Sequence, residues 1–290
     1  MAYCLRECCL AYHRIYKYTS IGRPLDPAYF SNKVVLLLMP LAALLGAVTT
    51  WLDGGQATQI LQSAFSFLLI SFGSWALARE LFPDDHPAAF ISMAFALLAA
   101  LSFDSPGILI LFATLGLVRI VNRSTGKAAL KTDSVIVLLL AFWVIYGTKS
   151  PFFGAVAAMA FFLDGILKEP LRHQWVFALI CFAGMVVYMV DHDIGFSYYQ
   201  APDSLLEWLS LAALLVLALD MFLLKNVGSV GDIGAQPLDL TRVKGGMAVG
   251  LCAAFQGLAQ LENIILLVAS VAGIVIGMAF RKAFQAPASA

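Results

Sequence analysis

The chain has 290 residues, 61% of them hydrophobic and 12% charged, with a mean hydropathy of +0.87. So little polar surface cannot cover a water-soluble globule, which makes the bilayer its solvent and an all-α, polytopic transmembrane bundle its expected fold class. Eighteen Lys+Arg balance eighteen Asp+Glu, so bulk electrostatics point to no nucleic-acid partner.

Residues 1 to 33 read as a cytoplasmic amphipathic arm. Met1, Cys4, Leu5, Cys8, Cys9, Tyr12, Ile15 and Tyr16 recur at helical spacing, with Arg6, His13, Arg14 and Lys17 opposite. Such a helix lies on the inner leaflet, attracted by anionic lipid. Cys4, Cys8 and His13 have the chemistry of metal ligands, but the histidine falls on the polar face, so no metal is expected. No secretory signal is read in this arm, and its cysteines imply no disulfide framework.

Ten apolar stretches follow, at about 34 to 51, 59 to 78, 88 to 103, 106 to 121, 134 to 147, 151 to 167, 174 to 190, 204 to 224, 244 to 260 and 264 to 280. They delimit a ten-span domain over 34 to 282, with a short tail over 283 to 290. Several are shorter than the roughly 20 residues that cross hydrocarbon untilted. When the gaps are numbered alternately, seventeen of the eighteen Lys+Arg fall on one side and only Lys149 on the other. Basic residues near helix ends resist translocation, so both termini are expected in the cytoplasm of a cell with an inner (plasma) membrane.

The polar residues are then taken in order. Arg79 to Pro87 is the most motif-like stretch: Asp84, Asp85 and His86 have the chemistry to hold a divalent cation, while Pro83 and Pro87 bracket a turn where acids cap the next helix. Capping is the simpler expectation there. Ser105-Pro106 and Ser150-Pro151 read as helix starts, Asp133-Ser134 opens the fifth span, and Ser204 with Glu207 makes a capping box. Asp164 and Asp220 lie near the inner ends of the sixth and eighth spans, where the helix dipole disfavours an acid. Lys168 is placed to pair with Asp164.

Asp191-His192-Asp193 reads as a solvated outer loop. Gly228, Gly231 and Gly234 with Asp232 follow no strand, so they read as a flexible connector and not as a phosphate cradle. Gln256 and Gln260 share a face suited to bonding between helices. Gly246 and Gly250 with Gly273 and Gly277 form two GxxxG pairs that would meet if the last two spans make an antiparallel hairpin.

Two resemblances add to this. Ala78-Arg79-Glu80-Leu81-Phe82, Asp104-Ser105-Pro106 and Gly147-Thr148-Lys149-Ser150-Pro151, within about residues 70 to 170, resemble the membrane-embedded C-type glycosyltransferases that use polyprenyl-phosphate sugars. That resemblance implies acidic catalytic residues in the outer loop after the first span, which here holds Asp53. Span count and cytoplasmic termini also look like the ten-helix drug/metabolite transporters, whose two five-helix halves have inverted topology.

Three function classes stay open. A transporter of a small solute or lipid would use Asp164, Asp220 and Gln256 along its path. A lipid-linked transferase would use Asp53, Asp104 and Lys149 on the outer face, with Asp53 as base and Lys149 as phosphate anchor. A non-catalytic subunit or scaffold would use neither and would meet protein partner chains in the membrane. Membrane lipids are partners in every case, and no residue set specifies a cofactor.

Overall fold

A computed structural model describes residues 15–103, 107–195, 202, 204–233, 236–258 and 261–285. A helical turn over 15–18 leads through an irregular strap to ten further helices among the described residues. These are α1 (Phe30–Leu52), α2 (Ala57–Leu81), α3 (His86–Ser102), α4 (Ile108–Asn122) and α5 (Lys131–Gly147), then α6 (Phe153–Ile166), α7 (Gln174–Asp191), α8 (Leu205–Leu223), α9 (Leu240–Leu258) and α10 (Leu261–Gln285). The protein is all-helical among the described residues, and each of the ten apolar stretches is a helix. The extended pairing there is limited to one isolated bridge between Val230 and Pro237.

Among the described residues four helices, α1, α2, α7 and α8, are long and apolar enough to cross a membrane. Their outer faces bear large apolar side chains: Leu37 is 63% exposed, Leu179 70%, Leu205 75% and Phe222 74%. A continuous coat of this kind is stable against hydrocarbon and not against water.

Local signals set the helix ends. Asp85 caps α3 by accepting from the Ala88 N–H at 3.2 Å, and Ser204 and Glu207 form the expected capping box on α8. Two expected starts differ. The N-cap of α6 is Phe152, so Ser150 lies before the helix, its hydroxyl exchanging hydrogen bonds with Thr148. Asp133 stands inside the first turn of α5 and accepts from Ser20 of the strap, by both its N–H and its hydroxyl at 2.5 Å. The arm over 1–14, with Cys4, Cys8 and Cys9, and the segment 104–106 lie outside the described residues.

The core is built on α2, α4 and α9, with α3 and α10 forming the most extensive helix pair. The four packing glycines allow close approach, but not of one pair to the other. Gly246 faces the Asn122 side chain of α4, and Gly250 faces Leu81 of α2, where a β-carbon would stand 2.7 Å from Leu81 Cδ2. Gly273 and Gly277 abut the backbone of α3, with Ser92 Cα at 2.6 Å and Ala88 Cα at 2.5 Å from such an added carbon. The hairpin expectation named the right small residues and the wrong neighbours, because spacing gives a face but not what faces it.

Candidate functional site

Hydrogen bonds gather the strap and the basic loops at one end of the bundle. Thr125 Oγ1 donates to Ser20 O at 2.6 Å, Ile233 N–H to Thr125 O at 3.0 Å, and Gly228 N–H to Asp84 Oδ2 at 2.8 Å. The glycine-bearing loop is therefore pinned, not a free connector. Gly231 N–H donates to Gln236 O at 2.8 Å, and Asp232 is gripped by Arg23 through Nε at 2.8 Å and Nη2 at 2.6 Å. Gly234 lies outside the described residues.

A cavity of about 390 Å3 opens at this end. Its floor is one face of α2, because Phe72, Trp75, Ala76, Arg79 and Glu80 recur at three- and four-residue spacing. Its walls are Arg23 to Asp26 of the strap, the first turn of α1, Arg119 of α4 and the loop 228–232. The end toward Phe72 is aromatic, with Phe72 and Trp75 ring centroids 6.5 Å apart and Phe72 and Phe112 6.3 Å apart.

Glu80 organises the polar end. Its Oε1 accepts from Arg119 Nε at 3.0 Å, Ser124 Oγ at 3.0 Å and Arg23 Nη1 at 3.4 Å, while its Oε2 is buried without a partner. The Glu80 carbonyl accepts from Asn122 Nδ2 at 2.7 Å, which fixes α2 to α4. Burial works against the Arg23 guanidinium, but Glu80 and Asp232 outweigh it and hold its pKa above the ordinary value. Arg23 is cationic at any physiological pH.

Arg79 is different. It makes no ion pair among the described residues, donating to Pro83 O at 2.8 Å and touching His86 Nδ1. Trp75 is 5% exposed, and its indole Nε1 is buried without a partner. A buried unsatisfied donor and acceptor are each costly, so both mark places where a further polar group belongs.

The expected path residues do not converge. Asp164 is fully buried at the end of α6 and is bound by Arg123 Nη2 at 2.7 Å, Arg242 Nη1 at 2.8 Å and Gln174 Nε2 at 3.2 Å. Lys168 is not its partner: the main chain turns away after Ile166, and Lys168 contributes its carbonyl to Arg242 instead. Asp220 lies at another recess, of about 350 Å3, beside Pro83, Asp84 and Asp85. Gln256 is buried on α9 fourteen residues beyond Arg242, about 21 Å away at 1.5 Å per residue.

The outer candidates are dispersed as well. Asp53 follows α1, which contacts α2 and α3, whereas Lys149 joins α5 to α6 and has a left-handed φ of 55°. Neither α1 nor α2 contacts α5 or α6, and Asp104 lies outside the described residues. His192 stacks on Tyr188 at 4.0 Å in the exposed loop after α7. No group of three or more His, Cys, Asp or Glu among the described residues has metal-binding geometry.

Reading the sequence singled out neither Trp75 nor Arg23, and so missed their shared site. The available signal was Arg119, a cation inside an apolar span that required a buried partner. No family model, curated protein or solved structure matches this chain.

Proposed function

We propose that the chain is a ten-span inner-membrane protein of the transport class, with both termini in the cytoplasm. On this reading the arginine-bearing cavity faces the cytoplasm and receives a ligand that carries an anionic group. The observation that carries the reading is Arg79: a half-buried guanidinium with no ion pair among the described residues, in a cavity of about 390 Å3 beside the unpartnered indole of Trp75. A guanidinium fork is suited to carboxylate or phosphate.

Binding is favoured over catalysis because Glu80 and Asp232 are both engaged by arginine. A carboxylate so held balances charge and is a poor base or nucleophile. The basic strap and loops at this end support the cytoplasmic assignment. A scaffold role has one observation in its favour, an all-apolar recess of about 440 Å3 lined by Met159, Phe162, Trp175, Leu179 and Phe182, suited to an apolar helix of a partner.

The test is thermal unfolding of the purified full chain with inorganic phosphate and phosphoethanolamine. A ligand that binds only the folded state stabilises it by RT ln(1 + c/Kd) at free ligand concentration c, so the midpoint rises with ligand concentration. The wild type should respond and Arg79→Gln should not, with the unliganded midpoints close. A response unchanged by Arg79→Gln would overturn the reading.

A further inference from the structure

The cavity has features that narrow its ligand further. Its charged lining is formally balanced: Arg23, Arg79 and Arg119 stand against Asp26, Glu80 and Asp232, with His86 at the rim. The balance is not uniform. Arg23 is committed to Glu80 and Asp232, Arg119 to Glu80, and Asp26 accepts from the Ala28 N–H at 2.9 Å. What is left over is a donor side, Arg79 and Trp75 Nε1, and an acceptor, Glu80 Oε2. Trp75 and Arg79 are one helical turn apart on the same face of α2, and Glu80 is the next residue.

A ligand that satisfies both must present an anion to Arg79 and Trp75 and an N–H or O–H donor to Glu80 Oε2. A purely anionic group would leave Glu80 Oε2 buried and unpaired, and a purely cationic one would do the same to Trp75 and face Arg79 directly. The remaining walls decide between a soluble and a membrane-borne ligand. Phe72, Trp75, Leu25, Tyr29 and Leu238 give the cavity an apolar side, and it lies against the first turn of α1, whose own outer surface is lipid-like: Phe30 is 81% exposed and Leu37 63%. An apolar side next to a polar pocket at the end of a hydrocarbon-facing helix suits an amphiphile.

Building on the anion-binding reading above, we propose that this cavity is a headgroup site for an amino-phospholipid, with phosphate on Arg79 and Trp75 Nε1 and the primary ammonium on Glu80 Oε2. Phosphatidylethanolamine has both groups. Phosphatidylcholine has the same charges and phosphate but a quaternary ammonium with no N–H to donate, so it separates hydrogen bonding from charge. Phosphatidylglycerol offers hydroxyl donors but no cation, so it separates the ammonium from any donor.

The experiment is native mass spectrometry of the full-length protein released from mixed-lipid nanodiscs, counting retained lipid, beside thermal unfolding with soluble phosphoethanolamine. The wild type should retain phosphatidylethanolamine over phosphatidylcholine and over phosphatidylglycerol by about tenfold, the worth of one charge-assisted hydrogen bond. Trp75→Phe keeps the ring and removes only the donor, and Arg79→Gln removes the charge; both weaken the phosphate contact that the three lipids share and should lower retention of all of them, phosphatidylethanolamine included, while the lipid-facing Phe222→Ala should leave retention as in the wild type. Equal retention of phosphatidylcholine would overturn the ammonium–Glu80 contact, and equal retention of phosphatidylglycerol would overturn the zwitterion assignment. If soluble phosphoethanolamine stabilises the protein but the lipid is not retained, the lipid assignment falls and the anion site stands. If no phosphate compound binds at all, both fall.

Discussion

Arg242 and Asp164, 78 residues apart in the chain, meet at 2.8 Å in the interior of the bundle, and the same guanidinium nitrogen also donates to Val121 O at 2.9 Å. One contact thus ties α9 to α6 and to the end of α4. Arg123 completes it from a left-handed backbone position, φ 49°, at the C-cap of α4. Two buried guanidinium groups share one carboxylate, so that carboxylate is the group whose loss exposes the whole arrangement to desolvation cost.

Asp164→Ala should therefore destabilise the protein by about 3–5 kcal/mol, because it leaves two buried cations uncompensated. Equilibrium unfolding in mixed micelles measures this. Arg242→Lys keeps the charge but not the fork that also reaches Lys168 O, so it should fall between wild type and Asp164→Ala. A neutral result for Asp164→Ala would mean the cluster is hydrated.

Arg23→Ala removes the side chain that joins the strap to α2 and to the loop 228–232 in one step. It should cost about 1–3 kcal/mol and leave Asp232 with the hydrogen bond that it accepts from the Tyr16 hydroxyl at 3.0 Å. Limited proteolysis should then cut the strap and the loop faster in parallel. Faster cleavage of the strap alone would show that Arg23 does not couple the two.

The glycines separate two kinds of cost. Gly273→Val forces side-chain atoms into the Ser92 backbone and should cost about 1–3 kcal/mol by overpacking α10 on α3. Gly54 stands in open space at φ 78°, so Gly54→Ala should cost about 1–2 kcal/mol from backbone conformation alone. Gly54→Asn should recover most of that loss, since asparagine tolerates the left-handed region, whereas no side chain recovers Gly273.

The proposed ten-span topology is tested by single-cysteine labelling in a background without the five native cysteines. Gly54→Cys should react with a membrane-impermeant reagent added outside intact cells, and Lys225→Cys should react only after permeabilisation. Both positions are exposed, so burial does not confuse the reading. Labelling of both from one side would remove the alternating topology.

That the chain is helical, and where the ten helices among the described residues lie, could be read from the order of residues alone, because the apolar run of each segment acts locally. Local pairing rules also found the capping residues Asp85, Ser204 and Glu207, whose partners are within three residues. Which polar groups meet was legible only in the folded bundle. Asp164 has a lysine four residues away and takes two distant arginines instead, and Glu80, Arg119, Arg23 and Asp232 form one site from four separate segments. The physical reason is that a buried charge must find any available counter-charge, and in a bundle the nearest one is set by which helices touch, which periodicity along one helix does not encode.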